Sequence, residues 1–104
     1  MGTRLELHEK LKNLMSDEDR EHVYYQPAEN LKMEYPCIRY ERSDILDHYA
    51  DNMKYSGMTR YDITIIDQLP DNEVISKILA LPYSDFDRHY TSDNLNHDVI
   101  RLYF

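Results

Sequence analysis

The chain has 104 residues, 41% of them hydrophobic and 31% charged, which predicts a single folded domain, 1–104, around one hydrophobic core. Its formal net charge of −8 is spread along the sequence, and such a surface disfavours binding to nucleic-acid phosphates and to anionic membranes. Cys37 is the single cysteine, which excludes an intrachain disulfide and a zinc site built from cysteines.

The first predicted element is a helix over Thr3–Met15. Its apolar stripe, spaced three and four residues apart, is Leu7, Leu11 and Leu14, with Leu5 and Met15 beside it. Thr3 and Glu6 have the spacing of a capping box, in which each side chain satisfies a free amide of the first turn. The region lacks the uninterrupted apolar core of a signal peptide, and no stretch of the chain approaches a membrane span, so we expect an intracellular protein.

Two strands are predicted next. Val23–Gln26 is short and is stopped by Pro27, which cannot donate to a strand ladder, so we expect it at an edge. Pro36–Arg42 alternates, with Ile38 and Tyr40 on one face and Cys37, Arg39 and Glu41 on the other. We interpret Cys37 as a small, partly buried hydrophobic residue rather than a reactive thiol.

The stretch from about 43 to 57, Ser43–Gly57, shows no clear periodicity. Loops longer than about twelve residues are uncommon in compact domains unless they have a role. This length and a mixed Asp, Tyr, Ile and Leu composition predict a protruding loop that becomes ordered against a partner.

Met58–Asp67 is the strongest strand signal and is predicted to lie at the centre of the sheet. Tyr61, Ile63 and Ile65 share one face, and β-branched and aromatic residues at a period of two suit a pleated surface. Ile66 interrupts the polar face, so we expect that face to be half covered as well.

A turn at Gln68–Asn72 leads into a second predicted helix that Pro82 ends. Its predicted buried face is Val74, Ile75, Ile78, Leu79 and Leu81. In the next strand, Phe86, Arg88 and Tyr90 alternate against Asp87, His89 and Thr91. After a turn at Ser92–Asn94, the last predicted strand, Val99–Phe104, places Ile100, Leu102 and Phe104 on one face.

This order of elements predicts an α+β fold: an antiparallel-dominated β-sheet with the N-terminal helix and the second helix packed on one face. With two glycines in the chain, we expect few tight primed turns between strands. The ten tyrosines fit both strand propensity and a large contact surface.

No catalytic, metal-binding or cofactor-binding residue is predicted, and we expect no enzyme activity. The histidines with acids nearby in sequence are His48, beside Asp44, Asp47 and Asp51, and His89 and His97, beside Asp87, Asp93 and Asp98. None of them has the spacing of a zinc helix or a calcium loop. Gly2 and Gly57 are the only glycines, so no glycine-rich phosphate loop and no glycine-flanked serine elbow is present.

Six segments in order resemble the landmarks of a protein family. They are PCIRY at 36–40, YADN at 49–52, RYDITIID at 60–67, LPY at 81–83, DNLNHD at 93–98 and LYF at 102–104. Together with the leading helix they resemble the tail-completion or tail-terminator proteins of long-tailed, siphovirus-like bacteriophages. The resemblance is clearest over residues 36–104, and none of its segments is catalytic.

The resemblance implies a structural virion protein of the phage neck. Such a protein assembles in the host cytoplasm as a homo-oligomeric ring, usually a hexamer, which caps the tail tube and joins the tail to the head. Its partners would be the tail tube protein and the head-closure or connector protein, and DNA would pass through the channel without specific binding. No cofactor is implied. The interface residues expected in this chain are Tyr40, Arg42, Asp44, Tyr49, Asp51 and Tyr55.

Three alternatives remain open from the sequence. A head-closure protein of the same neck would have a similar size and acidity. A small cytoplasmic enzyme or metal-binding domain would use His48, His89 and His97. A host-directed binding module that inhibits a partner would also show no catalytic set.

Overall fold

The structure, a computed structural model, describes residues 3–45 and 58–104, with the backbone alone at Asp44 and Ile45. The described residues form two helices and five strands. In chain order these are α1 (Arg4–Leu14), β1 (Val23–Tyr25), β2 (Cys37–Ile45), β3 (Thr59–Asp67), α2 (Val74–Leu79), β4 (Ser84–Ser92) and β5 (Leu95–Tyr103).

The five strands form one sheet in the order β1-β2-β3-β5-β4. β1 runs parallel to β2, and the other three pairs are antiparallel. The prediction of an antiparallel-dominated α+β fold is therefore confirmed, with β3 at the centre. The short β1 lies at one edge, as Pro27 predicts, and the nine-residue β4 forms the other.

One face of the sheet, which we call the first face, packs against both helices and forms the core. Helix α1 begins with the predicted capping box: Thr3 Oγ1 accepts from the Glu6 amide at 3.2 Å, and Glu6 Oε1 accepts from the Thr3 amide at 3.4 Å. The buried core comprises Leu7, Leu11, Met15, Val23, Ile38, Tyr40, Tyr61, Ile63, Ile65, Val74, Ile78, Ile100 and Leu102. Burial of this continuous apolar surface is the main stabilising contribution to the fold.

Two predicted core positions are wrong. Leu5 is 65% exposed, because it lies two residues from buried Leu7 and so on the other side of α1. Leu79 is 39% exposed, because it is rotated about 100° around α2 from fully buried Ile78. Leu14, Ile75, Leu81 and Phe104 pack against the core as partly buried residues.

The structure corrects two further local predictions. β2 continues through Ser43 to Ile45, past a register shift between Arg42 and Asp44, so the first three residues of the predicted long loop pair with β3. The rest of that loop, 46–57, lies outside the described residues. In β4 a second shift, between Phe86 and Arg88, breaks the predicted alternation, because Phe86 pairs with Ile100 while Arg88 pairs with Val99. The bulge thereby places Phe86 on the first face of the sheet and Arg88 on the opposite face.

The β4–β5 hairpin has a tight turn although it contains no glycine. Asp93 and Asn94 adopt φ values of 53° and 63°, the left-handed region required at both central positions of a primed turn. Asparagine and aspartate tolerate this region better than other non-glycine residues. This hairpin therefore has one of the few tight turns expected, and it uses aspartate and asparagine in place of glycine.

A partly buried polar pair joins α1 to the sheet. The Tyr40 hydroxyl lies 2.6 Å from His8 Nδ1. Burial raises the pKa of Tyr40 and lowers the pKa of His8, where the positive charges of Arg4 and Lys12 act in the same direction as burial. Both shifts keep the pair neutral, with the Tyr40 O–H donating to the imidazole.

This pair predicts a loss of stability in mild acid. The folded state holds the pKa of His8 below its ordinary value of 6.5, so below that pH the unfolded chain binds a proton that the folded chain resists. The His8 contribution is therefore fully present above pH 6.5 and is lost as the pH falls toward the folded-state pKa. Urea unfolding at pH 7.5 and pH 5 should show a larger fall in the wild-type protein than in His8→Gln, which cannot titrate. Parallel falls in the two proteins would contradict this assignment.

Candidate functional site

The face of the sheet opposite the helices, which we call the second face, carries an ordered array of side chains. Strand register places them in rows that run β2–β3–β5–β4 across the sheet. The first row is Cys37, Ile66, His97 and Tyr90; the second is Arg39, Thr64, Val99 and Arg88; the third is Glu41, Asp62, Arg101 and Asp85. The first row has no cationic end, the second has an arginine at each end, and the third is charged throughout.

A pocket of about 250 Å³ lies over the first two rows. Ile66 and Thr64 are both buried and come from the central strand, so they form its floor. Its lining also includes Met33, Tyr35, Arg39, Tyr90, Ser92, Asp93, Leu95 and His97. Arg39 and Tyr90 stand on strands separated by two others, roughly 14 Å apart at a spacing of about 4.8 Å per strand. The pocket is therefore a wide depression whose floor combines an apolar side chain with a hydroxyl-bearing one.

One wall of the pocket is a guanidinium group. Arg39 is half-buried, and it has no hydrogen bond or ion pair within residues 3–45 and 58–104. A guanidinium offers five N–H donors in a planar fork that matches a carboxylate or a phosphate. Arg39 is thus available to an anion that enters the pocket.

The opposite wall is a stack of rings. Tyr90 and His97 lie with their centroids 4.6 Å apart and their planes at 14°, and the Arg88 guanidinium lies 5.7 Å from the centre of the Tyr90 ring. His97 Nδ1–H donates to the Leu95 carbonyl at 3.1 Å, which fixes the orientation of the imidazole. This wall offers a flat, preorganised surface to an apolar or aromatic group.

The third row is a network of half-buried charges. Arg101 lies 3.3 Å from an oxygen of Asp87 and 3.8 Å from one of Asp85, and Arg60 lies 3.5 Å from Asp62. The buried Nε atoms of Arg60 and Arg101 have no hydrogen-bond partner among the described residues. Partly exposed ion pairs at these distances contribute little to the free energy of unfolding. The row is better suited to determining which partner binds this surface.

Cys37 ends the first row and is fully buried. Burial raises the pKa of its thiol to about 12, so the thiolate needed for nucleophilic or metal chemistry does not form near neutral pH. The residue is more completely buried than its sequence context predicts, and its role is packing.

The structure separates the residues predicted for an interface. Tyr40 is 0% exposed and belongs to the core, so its side chain offers no surface to a partner in this fold. Arg42 is exposed on β2 opposite Tyr61, and its amide donates to Gln26 Oε1 at 3.2 Å. Asp44 is described by its backbone within β2, while Tyr49, Asp51 and Tyr55 lie outside the described residues.

Sequence patterns could not assemble the pocket. The alternation of the predicted strands places Arg39 and Thr64 on polar faces, but only the strand order shows that these faces coincide. His97 precedes the predicted last strand, Val99–Phe104, and joins this face because β5 begins at Leu95. Met33 and Tyr35 come from the connection between β1 and β2, which gives no periodic signal.

The described residues contain no group of three or more His, Cys, Asp or Glu side chains placed to hold a metal ion. His89 instead pairs with Asp98 across β4 and β5, with 2.8 Å between Nδ1 and Oδ1. His97 lies on the second face, apart from this pair, and His48 lies outside the described residues. In the part of the chain that is described, no helix is long and apolar enough to span a membrane.

Comparison of the chain with protein-family models, with curated proteins and with solved structures finds no match.

Proposed function

We propose that this chain is a structural protein of the bacteriophage neck that forms a ring at the end of the tail tube. In this role it terminates the tail, joins the tail to the head and catalyses no reaction. The observation that carries the proposal is the ordered resemblance to tail-completion proteins over residues 36–104. The fold supports the proposal because its strands and turns contain most of those segments.

Most of the landmarks coincide with the framework of the sheet. PCIRY begins β2, RYDITIID fills β3, and LYF ends β5 against the core. DNLNHD forms the primed turn and the first residues of β5, while LPY links α2 to β4. Five of the six segments are thus parts of one folded unit rather than scattered matches.

The surface chemistry also supports a ring around DNA. With twenty acidic and twelve basic side chains, the protein repels a phosphate backbone and would let DNA pass without binding it. Exposed aromatic residues suited to protein contacts occur on the described surface, at Tyr35, Tyr83, Phe86 and Tyr90. A head-to-tail contact between identical subunits closes into a ring when the rotation per subunit divides a full turn.

Deleting the gene for this chain from the phage that encodes it tests the proposal. We expect heads that fill with DNA and tails that do not join them, some longer than normal because their growth is not stopped. Electron microscopy of the lysate measures both features, and supplying the wild-type protein from a plasmid should restore joined particles. Antibody labelling of complete virions should place the protein at the head–tail junction.

Other outcomes identify the alternatives. Tails of normal length that remain unjoined, beside heads that leak DNA, would assign the chain to head closure. Complete infectious particles formed without the protein would overturn both neck functions and favour the cytoplasmic binding module.

A further inference from the structure

We infer that the pocket on the second face is a socket for a carboxylate and a neighbouring apolar side chain, supplied by the β3–α2 turn of a second copy of this chain. The inference rests on the proposed ring function and specifies the contact by which identical subunits join. It assigns the socket to Arg39, Thr64, Ile66, Tyr90 and His97, and it assigns the inserted segment to Leu69–Asp71.

The chemistry of the socket selects this kind of ligand. The Arg39 guanidinium, unpaired within the described residues, provides a charged fork on one side, and the stacked Tyr90 and His97 rings provide an apolar surface on the other. Asp93 also lines the pocket from the exposed hairpin turn, so a ligand carboxylate is directed toward Arg39 and away from that turn. A ligand that joins a carboxylate to an aliphatic or aromatic group can bind the Arg39 guanidinium and pack against the Tyr90 and His97 rings at the same time.

The β3–α2 turn presents the complementary chemistry. Leu69 is 67% exposed, the highest value among the large hydrophobic residues described as exposed. Asp71 follows two residues later; it is exposed and has no hydrogen bond or ion pair within the described part of the chain. Pro70 restricts the backbone between them, which reduces the entropy lost when the segment binds.

The turn is also held in place from within its own subunit. Asp67 accepts hydrogen bonds from the Leu69 amide at 3.1 Å and from Asn72 Nδ2 at 2.9 Å, and Asn96 Nδ2 donates to the Gln68 carbonyl at 3.2 Å. A segment fixed at both ends presents its exposed side chains in one arrangement.

The positions of socket and turn suit a cyclic assembly. Both lie at the end of the sheet where β3 finishes and β5 begins, because Asp67 pairs with Asn96 and Ile66 pairs with His97. The turn leads to α2 on the first face, whereas the socket opens on the second face. In a ring, neighbouring subunits are related by rotation about the ring axis, so the two contacting surfaces lie at the same height along that axis and differ from each other. The turn and the socket lie at the same end of the sheet and on opposite faces, so they can form such a contact.

The socket chemistry is tested with phenylacetate, which joins a carboxylate to an aromatic ring. Two-dimensional ¹H–¹⁵N NMR titration at constant ionic strength should give saturable shifts at Thr64, Tyr90 and His97, with roughly millimolar affinity for so small a ligand. Neutral phenylacetamide should bind at least about tenfold more weakly, and Arg39→Gln should weaken phenylacetate binding to the same extent. Arg42→Gln, the same change three residues along β2 and away from the pocket, should leave binding unchanged.

The second-copy assignment is tested by sedimentation velocity over a range of protein concentrations. We expect the wild-type protein to self-associate and excess phenylacetate to weaken this association. Arg39→Gln and Asp71→Asn should each weaken it about tenfold or more, and Leu69→Ala should also reduce it. Leu5→Ala, which shortens a leucine of similar exposure on α1, is the matched control.

Contrary results are separable. Phenylacetate shifts that are absent, or that are equal in Arg39→Gln, would overturn the carboxylate socket. Binding that depends on Arg39, in a protein that stays monomeric or associates equally well as Asp71→Asn, would overturn the second copy as the occupant. If binding and association both depend on Arg39 while infectious virions form without the protein, the proposed neck function fails and the socket stands.

Discussion

Ile63→Ala and Ile78→Ala should each lower the free energy of unfolding by about 2–5 kcal/mol, the cost of removing a large buried aliphatic side chain and leaving a cavity. Both residues are 0% exposed, one at the centre of β3 and the other on the short helix α2, which packs onto the sheet. Since small domains are stabilised by only about 5–15 kcal/mol, either change removes a large part of the total. Urea unfolding followed by circular dichroism gives the difference directly.

Leu5→Ala is the control for this pair of substitutions. Leu5 is 65% exposed, and alanine favours the helix, so we expect a change within about 0.5 kcal/mol. Ile63→Ala and Ile78→Ala proteins that unfold at the same urea concentration as the wild-type protein would show that β3 and α2 do not share one core.

The parts of this fold that the sequence predicts are those with a strong local signal. The Met58–Asp67 pattern identifies β3 and its buried face, because a run of alternating β-branched residues has few other solutions. The capping box at Thr3 and the leucines of α1 identify the first helix in the same way. α1 packs on the first face and β3 contributes residues to it. Burial of one side of each element determines its pattern of apolar residues.

The second face depends on information that no single segment contains. The socket arises because β2, β3, β5 and β4 are neighbours in that order, and the bulge after Phe86 turns Arg88 and Tyr90 toward Arg39. A one-residue shift in register exchanges the two faces of a strand, so alternation alone placed Phe86 with Tyr90. Tyr40, predicted as a contact residue, lies in the core for a related reason. Tyrosine suits both interfaces and cores, and only packing against α1 distinguishes the two here.

Tyr40→Ala is therefore expected to destabilise the protein rather than to remove a contact with a partner. Tyr40 is the largest fully buried side chain, with Tyr25 and Tyr61 rings 4.9 and 6.0 Å from its own and His8 on its hydroxyl. Truncation leaves a large cavity and an unpaired imidazole, so the free energy of unfolding should fall by about 3–5 kcal/mol. Equilibrium unfolding in urea measures this loss.

Two further variants separate stability from partner binding. Tyr40→Phe keeps the ring and removes the hydroxyl with its hydrogen bonds to His8 and Arg4, so it should cost about 1–3 kcal/mol, less than Tyr40→Ala, because part-buried polar groups lose their partner. Arg42→Ala, two residues along the same strand and exposed, should change stability by no more than about 0.5 kcal/mol. A Tyr40→Ala protein as stable as the wild-type protein, yet unable to join the particle, would reverse this assignment. Tyr40 would then belong to a contact surface that the folded subunit exposes during assembly.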